Sequence, residues 1–144
     1  MKLPDLNLLL YAYDAGSPHH RRARAWLEKE LSGTETVALA WPVVLAFVRL
    51  ATSPRVFEAP LEPDEAFALA GSWLEQPSTT IVHPGDRHLA LLRELLGPLG
   101  SAGNLVTDAH LAALAIEHGA TLCSADLDFG RFPRLRVVNP LAED

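Results

Sequence analysis

Short apolar runs alternate with longer segments of helical period along the chain. Residues 2–6 predict a short first strand, with Pro4 as a blemish because proline cannot donate to a central ladder. Residues 7–13 predict a short helix. Ser17-Pro18 marks a second helix start, serine as N-cap and proline at the first helical position. Ala23, Trp26, Leu27 and Leu31 then recur at helical spacing up to a stop at Gly33. Residues 36–40 predict a strand, and Trp41-Pro42 opens a nearly all-apolar, buried helix through about residue 52. Pro63-Asp64-Glu65 starts the next helix, with acids at the positive end of its dipole. Residues 79–82 are β-branched and predict a strand. Asp86 caps a helix carrying Leu89, Leu92 and Leu96, closed by Gly97-Pro98. A loop over 100–103 leads to an alanine-rich helix over 107–118, ended by Gly119. Strands over 120–124 and 136–139 complete the pattern.

Strands alternating with helices predict a parallel sheet covered on both faces. In such sheets ligands bind at the carboxyl ends of the strands. The chain has 144 residues, 49% apolar and 21% charged, a globular balance that suits one domain over residues 1–144. No apolar run reaches the roughly 18 residues of a membrane helix. The first residues lack the long apolar region and cleavage site of a signal peptide, so a cytoplasmic protein is expected. The single cysteine, Cys123, cannot form an internal disulfide, and its apolar neighbours predict core packing. The lysines are Lys2 and Lys29 alone, and no Gly-rich phosphate loop with its lysine is present. The net charge of −6 opposes binding to a phosphate backbone through side chains alone. Two features soften that conflict: arginines cluster at Arg21, Arg22, Arg24 and at Arg131, Arg134, Arg136, and a cation held by acids presents its own charge to a phosphate.

Three acidic signals fall where the fold rule places a site. Asp5 sits near the end of the first strand among leucines, where a buried charge needs a partner or a metal; the alternative is an N-cap for the following helix. Asp108 lies in the first turn of an apolar helix, on a face with Ala112 and Ala115. Its alternative is capping or dipole stabilisation, although Asn104 and Thr107 could also cap. Asp126 and Asp128 directly follow the strand over 120–124, and their spacing in a loop can aim both carboxylates at one point; the alternative is a turn. Carboxylates placed this closely repel. Mg²⁺, which takes a few carboxylates plus waters and substrate phosphate, resolves the conflict and can activate a water. The six histidines show no metal-protease spacing, and no nucleophile elbow surrounds a serine.

The segment from Asn104 through Thr107-Asp108-Ala109-His110 to Ala115 resembles the signature helix of PIN-domain nucleases. So does Gly119-Ala120-Thr121-Leu122-Cys123-Ser124-Ala125-Asp126-Leu127-Asp128-Phe129, continuing through Arg131-Phe132-Pro133 to Asn139-Pro140. Asp5-Leu6-Asn7-Leu8-Leu9-Leu10-Tyr11-Ala12 looks like the family's first strand end. Phe47-Val48-Arg49 and Thr52-Ser53-Pro54-Arg55-Val56-Phe57 are similar to a subgroup of bacterial VapC-type toxins. The resemblance implies a three-layer α/β/α domain with a short, mostly parallel sheet of four or five strands. It implies a Mg²⁺- or Mn²⁺-dependent endoribonuclease that hydrolyses RNA phosphodiester bonds with a metal-activated water. A small antitoxin partner and a homodimer are implied as well. Asp5, Asp108 and Asp126 match the catalytic, metal-binding carboxylates, with Asp128 as a further metal ligand. Ser124 matches a small hydroxyl position near that site, and Ser124 and Arg49 are the candidates for substrate contact.

One departure bears on the chemistry. Many relatives carry a glutamate on the helix after the second strand, whereas here no acid occurs between Glu35 and Glu58. With Arg49 setting the register, Ala46 stands at that position, and Asp128 is the acid available to make up the charge. The missing glutamate favours an alternative function: a catalytically degenerate module acting through antitoxin binding and transcriptional autoregulation. A different phosphoryl-transfer enzyme with a strand-end aspartate would need a lysine near the later strands, and none follows Lys29.

Overall fold

A computed structural model describes residues 1–100 and 102–142. Five short strands, β1 (Lys2–Pro4), β2 (Val37–Leu39), β3 (Thr79–Ile81), β4 (Thr121–Cys123) and β5 (Val137–Val138), form one sheet in the order β3-β2-β1-β4-β5. Every neighbouring pair is parallel. The helices are α1 (Leu6–Tyr13), α2 (His20–Leu31), α3 (Trp41–Ala51), α4 (Pro63–Leu74), α5 (His88–Leu96) and α6 (Val106–His118). β1 is central, so the carboxyl ends of β1 and β4 lie side by side, with Pro4 paired to Cys123.

Pro4 is tolerated because of which way its missing donor faces. Lys2 N donates to Thr36 O on the β2 side at 2.9 Å, whereas Asp5 N donates to Cys123 O on the β4 side at 2.8 Å. Alternate N–H groups of a strand point to opposite neighbours, so the donor proline lacks would have faced β2. The ladder to β4 therefore runs through three residue pairs, and only Lys2↔Val37 registers with β2.

Both faces of the sheet are covered. In β4, Leu122 joins the larger apolar cluster with Phe47, Trp73 and Phe129, while the next residue, Cys123, joins a smaller one with Leu8, Ala23 and Leu141. This alternation is the period-two reading of a strand buried on both sides. Phe47 of α3 stacks edge-on against Trp73 of α4, ring centroids 4.7 Å apart. In α6 the buried residues Ala109, Ala112, Ala113 and Ala115 are small, which lets the helix lie close against its neighbours. Gly119 ends it at φ +64, a conformation glycine adopts without steric cost.

Several helix starts differ from the sequence pattern. α2 begins at His20, and Ser17 Oγ accepts from His19 N at 3.1 Å in the preceding turn. α2 ends at Leu31 with Ser32 as its C-cap, and Gly33 follows directly, where the sequence pattern put the stop. α5 starts at His88 after Arg87 with no side-chain cap, so Asp86 does not serve as one. α6 begins at Val106, which places Thr107 inside the helix; the side chain of Asn104 lies outside the described residues. α4 gains a reciprocal capping box between Glu62 and Glu65.

Candidate active site

Asp5 leaves β1 and caps α1 while its second oxygen turns to the neighbouring strand. Its Oδ1 accepts from Leu6 N at 2.7 Å, and its Oδ2 accepts from Ser124 Oγ at 2.8 Å. The capping alternative and a role in an acidic site are therefore compatible in one side chain. Burial pushes the Asp5 carboxyl above its usual range; the Ser124 and Leu6 hydrogen bonds pull it back, and the charge of Asp126 adds to the rise.

Asp108 occupies the first turn of α6. Its carboxyl is pushed up to about 6, first by burial and then by the charges of Asp5, Asp126 and Asp128, with Arg131 opposing. Asp5, Asp108, Asp126 and Asp128 thus share one electrostatic neighbourhood. Asp126 caps a 3-10 helix, Leu127–Arg131, accepting from Asp128 N at 2.8 Å through Oδ1. Asp128 is paired with Arg131 at 3.1 Å, both side chains about half exposed. The local Asp126 cap draws Asp128 into the 3-10 turn, where an i, i+3 arginine reaches it.

A cavity of about 130 Å³ opens beside Asp5 and Asp108. Its wall is completed by Leu6, Pro42, Val43, Ala46, Thr107 and Leu111. Ala46 thus faces the same space as the two carboxylates. Arg49, exposed on the last turn of α3, is not in that wall, and its guanidinium makes no hydrogen bond or ion pair among the described residues; its carbonyl accepts from Thr52 Oγ1 at 3.3 Å. Ser124 is buried, 2% exposed, between Asp5 and Asp126. Asn7, which the sequence pattern did not single out, donates from Nδ2 to Ser124 Oγ at 3.2 Å. Its place two residues after Asp5 on α1 was the one available signal.

The histidines also assemble in a way their spacing conceals. His88 Nδ1 bonds the Glu117 carboxylate, His88 Nε2 faces His110 Nδ1 at 2.8 Å, and Glu117 Oε2 accepts from Gly85 N at 2.6 Å. This chain joins α5 to α6. A hollow of about 330 Å³ next to it, lined by Asp86, Arg87, Glu117 and Arg134 among others, is larger than the one at Asp5. It lies away from the strand ends, where a parallel sheet presents its ligand site.

A PIN-domain model matches residues 2–135. The chain is 46% identical over 142 residues to Ribonuclease VapC37 of Mycobacterium tuberculosis, covering 99% of each. The chain belongs to the PIN-domain family of VapC ribonucleases. It is also 45% identical over 143 residues to Ribonuclease VapC33 of that organism, covering 99% of this chain and 100% of the relative. Among solved structures the same fold appears in VapBC2 from Rickettsia felis bound to a DNA fragment from its promoter. The TM-score there is 0.69 at 21% identity, covering 96% of this chain and 97% of the other. VapBC-1 from nontypeable Haemophilus influenzae gives a TM-score of 0.69 at 13% identity, covering 98% of each chain. These confirm the three-layer α/β/α architecture expected of a VapC-type PIN domain, with five strands and an entirely parallel sheet.

The donor set of this VapC-family site consists of carboxylate oxygens, the ligand type of a hard divalent cation. The Asp108 carboxyl is raised first by burial and then by the charges of Asp5, Asp126 and Asp128, and a bound cation would offset the latter. Among the described residues no three acidic, imidazole or thiol side chains converge as a closed metal cage. A divalent cation there would be held by one or two carboxylates, with water completing its shell.

Proposed function

We propose that this chain is a divalent-metal-dependent endoribonuclease, the toxin of a toxin–antitoxin pair. The observation that carries the reading is Asp108, half-buried in the wall of the cavity it shares with Asp5 and raised to about 6 by partial burial and three neighbouring aspartates. Carboxyls perturbed by burial together with specific charged neighbours cluster at functional sites. Asp5 and Asp108, which share the cavity wall, would hold Mg²⁺ or Mn²⁺, with Asp126 and Asp128 completing the negative field. A bound cation supplies water activation and charge neutralisation at the scissile phosphate. Ser124 keeps Asp5 and Asp126 in fixed relation, and Arg131 offers a positive group beside the acids. Arg49 and the other surface arginines would steer the RNA backbone. The expected products carry a 5′-phosphate and a 3′-hydroxyl. The names of the relatives support ribonuclease activity, and the VapBC assemblies among the structural neighbours support an antitoxin partner; a homodimer is what the family resemblance implies. No described helix is long and apolar enough to cross a membrane, in keeping with action on RNA in the cytoplasm.

The test is cleavage of a structured-RNA pool by antitoxin-free protein with Mg²⁺, with Mn²⁺ and with chelator. Metal-dependent cutting should vanish in Asp5→Asn and Asp108→Asn while the circular dichroism spectrum is unchanged. Cutting that persists in both variants would defeat the site assignment. The second reading, a degenerate module acting through its antitoxin, is favoured by Ala46, which leaves the α3 side of the cavity without an acid. A folded protein that binds divalent ions but cleaves nothing in any RNA pool would put that reading first.

A further inference from the structure

The hydroxyl of Ser124 stands between the two strand ends, and every hydrogen-bonding capacity it has is used. A serine hydroxyl carries one proton to donate and two lone pairs to accept with. The proton goes to Asp5 Oδ2 at 2.8 Å. One lone pair accepts from Asp126 N at 3.0 Å and the other from Asn7 Nδ2 at 3.2 Å. Ser124 is only 2% exposed, so bulk water does not compete for these places.

We propose that Asn7 is a positioning residue for the acidic site, acting through Ser124. With both lone pairs of Ser124 Oγ filled by N–H donors, its proton has one direction left, toward Asp5 Oδ2. The other Asp5 oxygen is fixed by Leu6 N at 2.7 Å. Together these bonds set the rotation of the Asp5 carboxylate and hence which of its lone pairs face the cavity that Asp5 shares with Asp108. The Asn7 amide places Nδ2 against Ser124 Oγ and Oδ1 toward Ala125 N, 3.5 Å away. Turned over, that amide would present oxygen to Ser124 and draw the serine proton away, leaving Asp5 Oδ2 against a lone pair. The role is thus specific to a donor at this position and differs from packing. Partners that orient a ligand in this way are worth about 10–100-fold in metal affinity.

The consequence for metal affinity rests on the divalent-metal reading above, so the test has a second, metal-free arm. Mn²⁺ affinity is measured by electron paramagnetic resonance for wild type, Asp5→Asn, Asn7→Leu, Ser124→Ala and the Asn7→Leu/Ser124→Ala double variant. Asn7→Leu and Ser124→Ala should each weaken binding about tenfold, and the double variant should be no weaker than Ser124→Ala alone, because Asn7 acts through the serine. Wild-type affinity in Asn7→Leu, or losses that add, would overturn the proposal. In metal-free protein, hydrogen exchange of the Asp126 amide, which bonds the same hydroxyl, should be about tenfold faster in Asn7→Leu at unchanged melting temperature. Unchanged exchange would overturn the proposal regardless of metal. Wild type that binds no Mn²⁺ strikes the metal reading, and the exchange arm then decides Asn7 by itself. Asn7→Ala, which removes the donor and favours the helix, replaces Asn7→Leu in both arms if leucine prevents folding.

Discussion

At the scale of single residues, the acids of the site oppose the fold that carries them. Asp108 has an unfolded value near 3.8 and a folded value of about 6. Below pH 4 it is protonated in both states. As pH rises from about 4 to about 6 the unfolded chain releases this proton while the folded chain retains it, so Asp108 lowers stability across that window, and the loss is complete above it. Asp108→Asn should therefore melt higher than wild type at pH 7 in chelator, with the gap closing below pH 4. Asp108 is only partly buried, so screening leaves an effect of about 1 kcal/mol, a shift of about 3 °C. Mn²⁺ should narrow the gap by stabilising wild type, and equal melting of the two proteins at pH 7 would contradict the account. Cys123 makes the opposite case. Burial pushes its thiol up to about 12, so a thiol reagent at pH 8 should label nothing in native protein and one group after denaturation; rapid native labelling would show that β4 opens. The aspartates were legible because a carboxylate in an apolar stretch breaks the local pattern. Asn7 was not, since an asparagine in the first turn of a helix needs no special account until Ser124, far along the chain, is brought against it.

At the scale of elements, apolar period and end signals located the strands and helices, and errors gathered at helix starts. Ser17-Pro18 and Asp86 are good starters by composition, yet the chain turns once more before α2 and α5 begin. Local propensity there is weak beside the packing that draws each helix onto the sheet. The Glu117–His88–His110 chain shows a stronger limit. Its members sit on two helices, and only the packing of α5 on α6 brings them together. Gly119, by contrast, was legible as a stop and has a physical reason. Its φ of +64 is costly for a residue with a Cβ, even though that Cβ would meet nothing within 4 Å. Gly119→Ala should cost about 1 kcal/mol, read as a urea midpoint lowered at unchanged slope, and Gly119→Asn should cost less. An alanine variant as stable as wild type would mean that α6 can end another way.

At the scale of the whole molecule, the net charge of −6 must be reconciled with an RNA partner. Long-range attraction is not available to an acidic protein, and its own carboxylates lie at the site. If RNA is held there through a divalent ion, then binding, and not only turnover, requires that ion. The affinity of an uncleavable RNA analogue should fall at least about tenfold when chelator replaces Mn²⁺. Its dependence on monovalent salt should be shallow, because few phosphates are neutralised by side chains; about three contacts would give a log–log slope near −2. Arg131→Ala should change that slope by about one contact, because Arg131 is the basic group facing the Asp108 acids, and should free Asp128 from its ion pair. A steep salt dependence with no effect of chelator would place the RNA on arginines other than Arg131, such as the Arg21, Arg22 and Arg24 group, away from the aspartates. The acids would then have a purely structural role, and the site would have to be sought elsewhere on the surface.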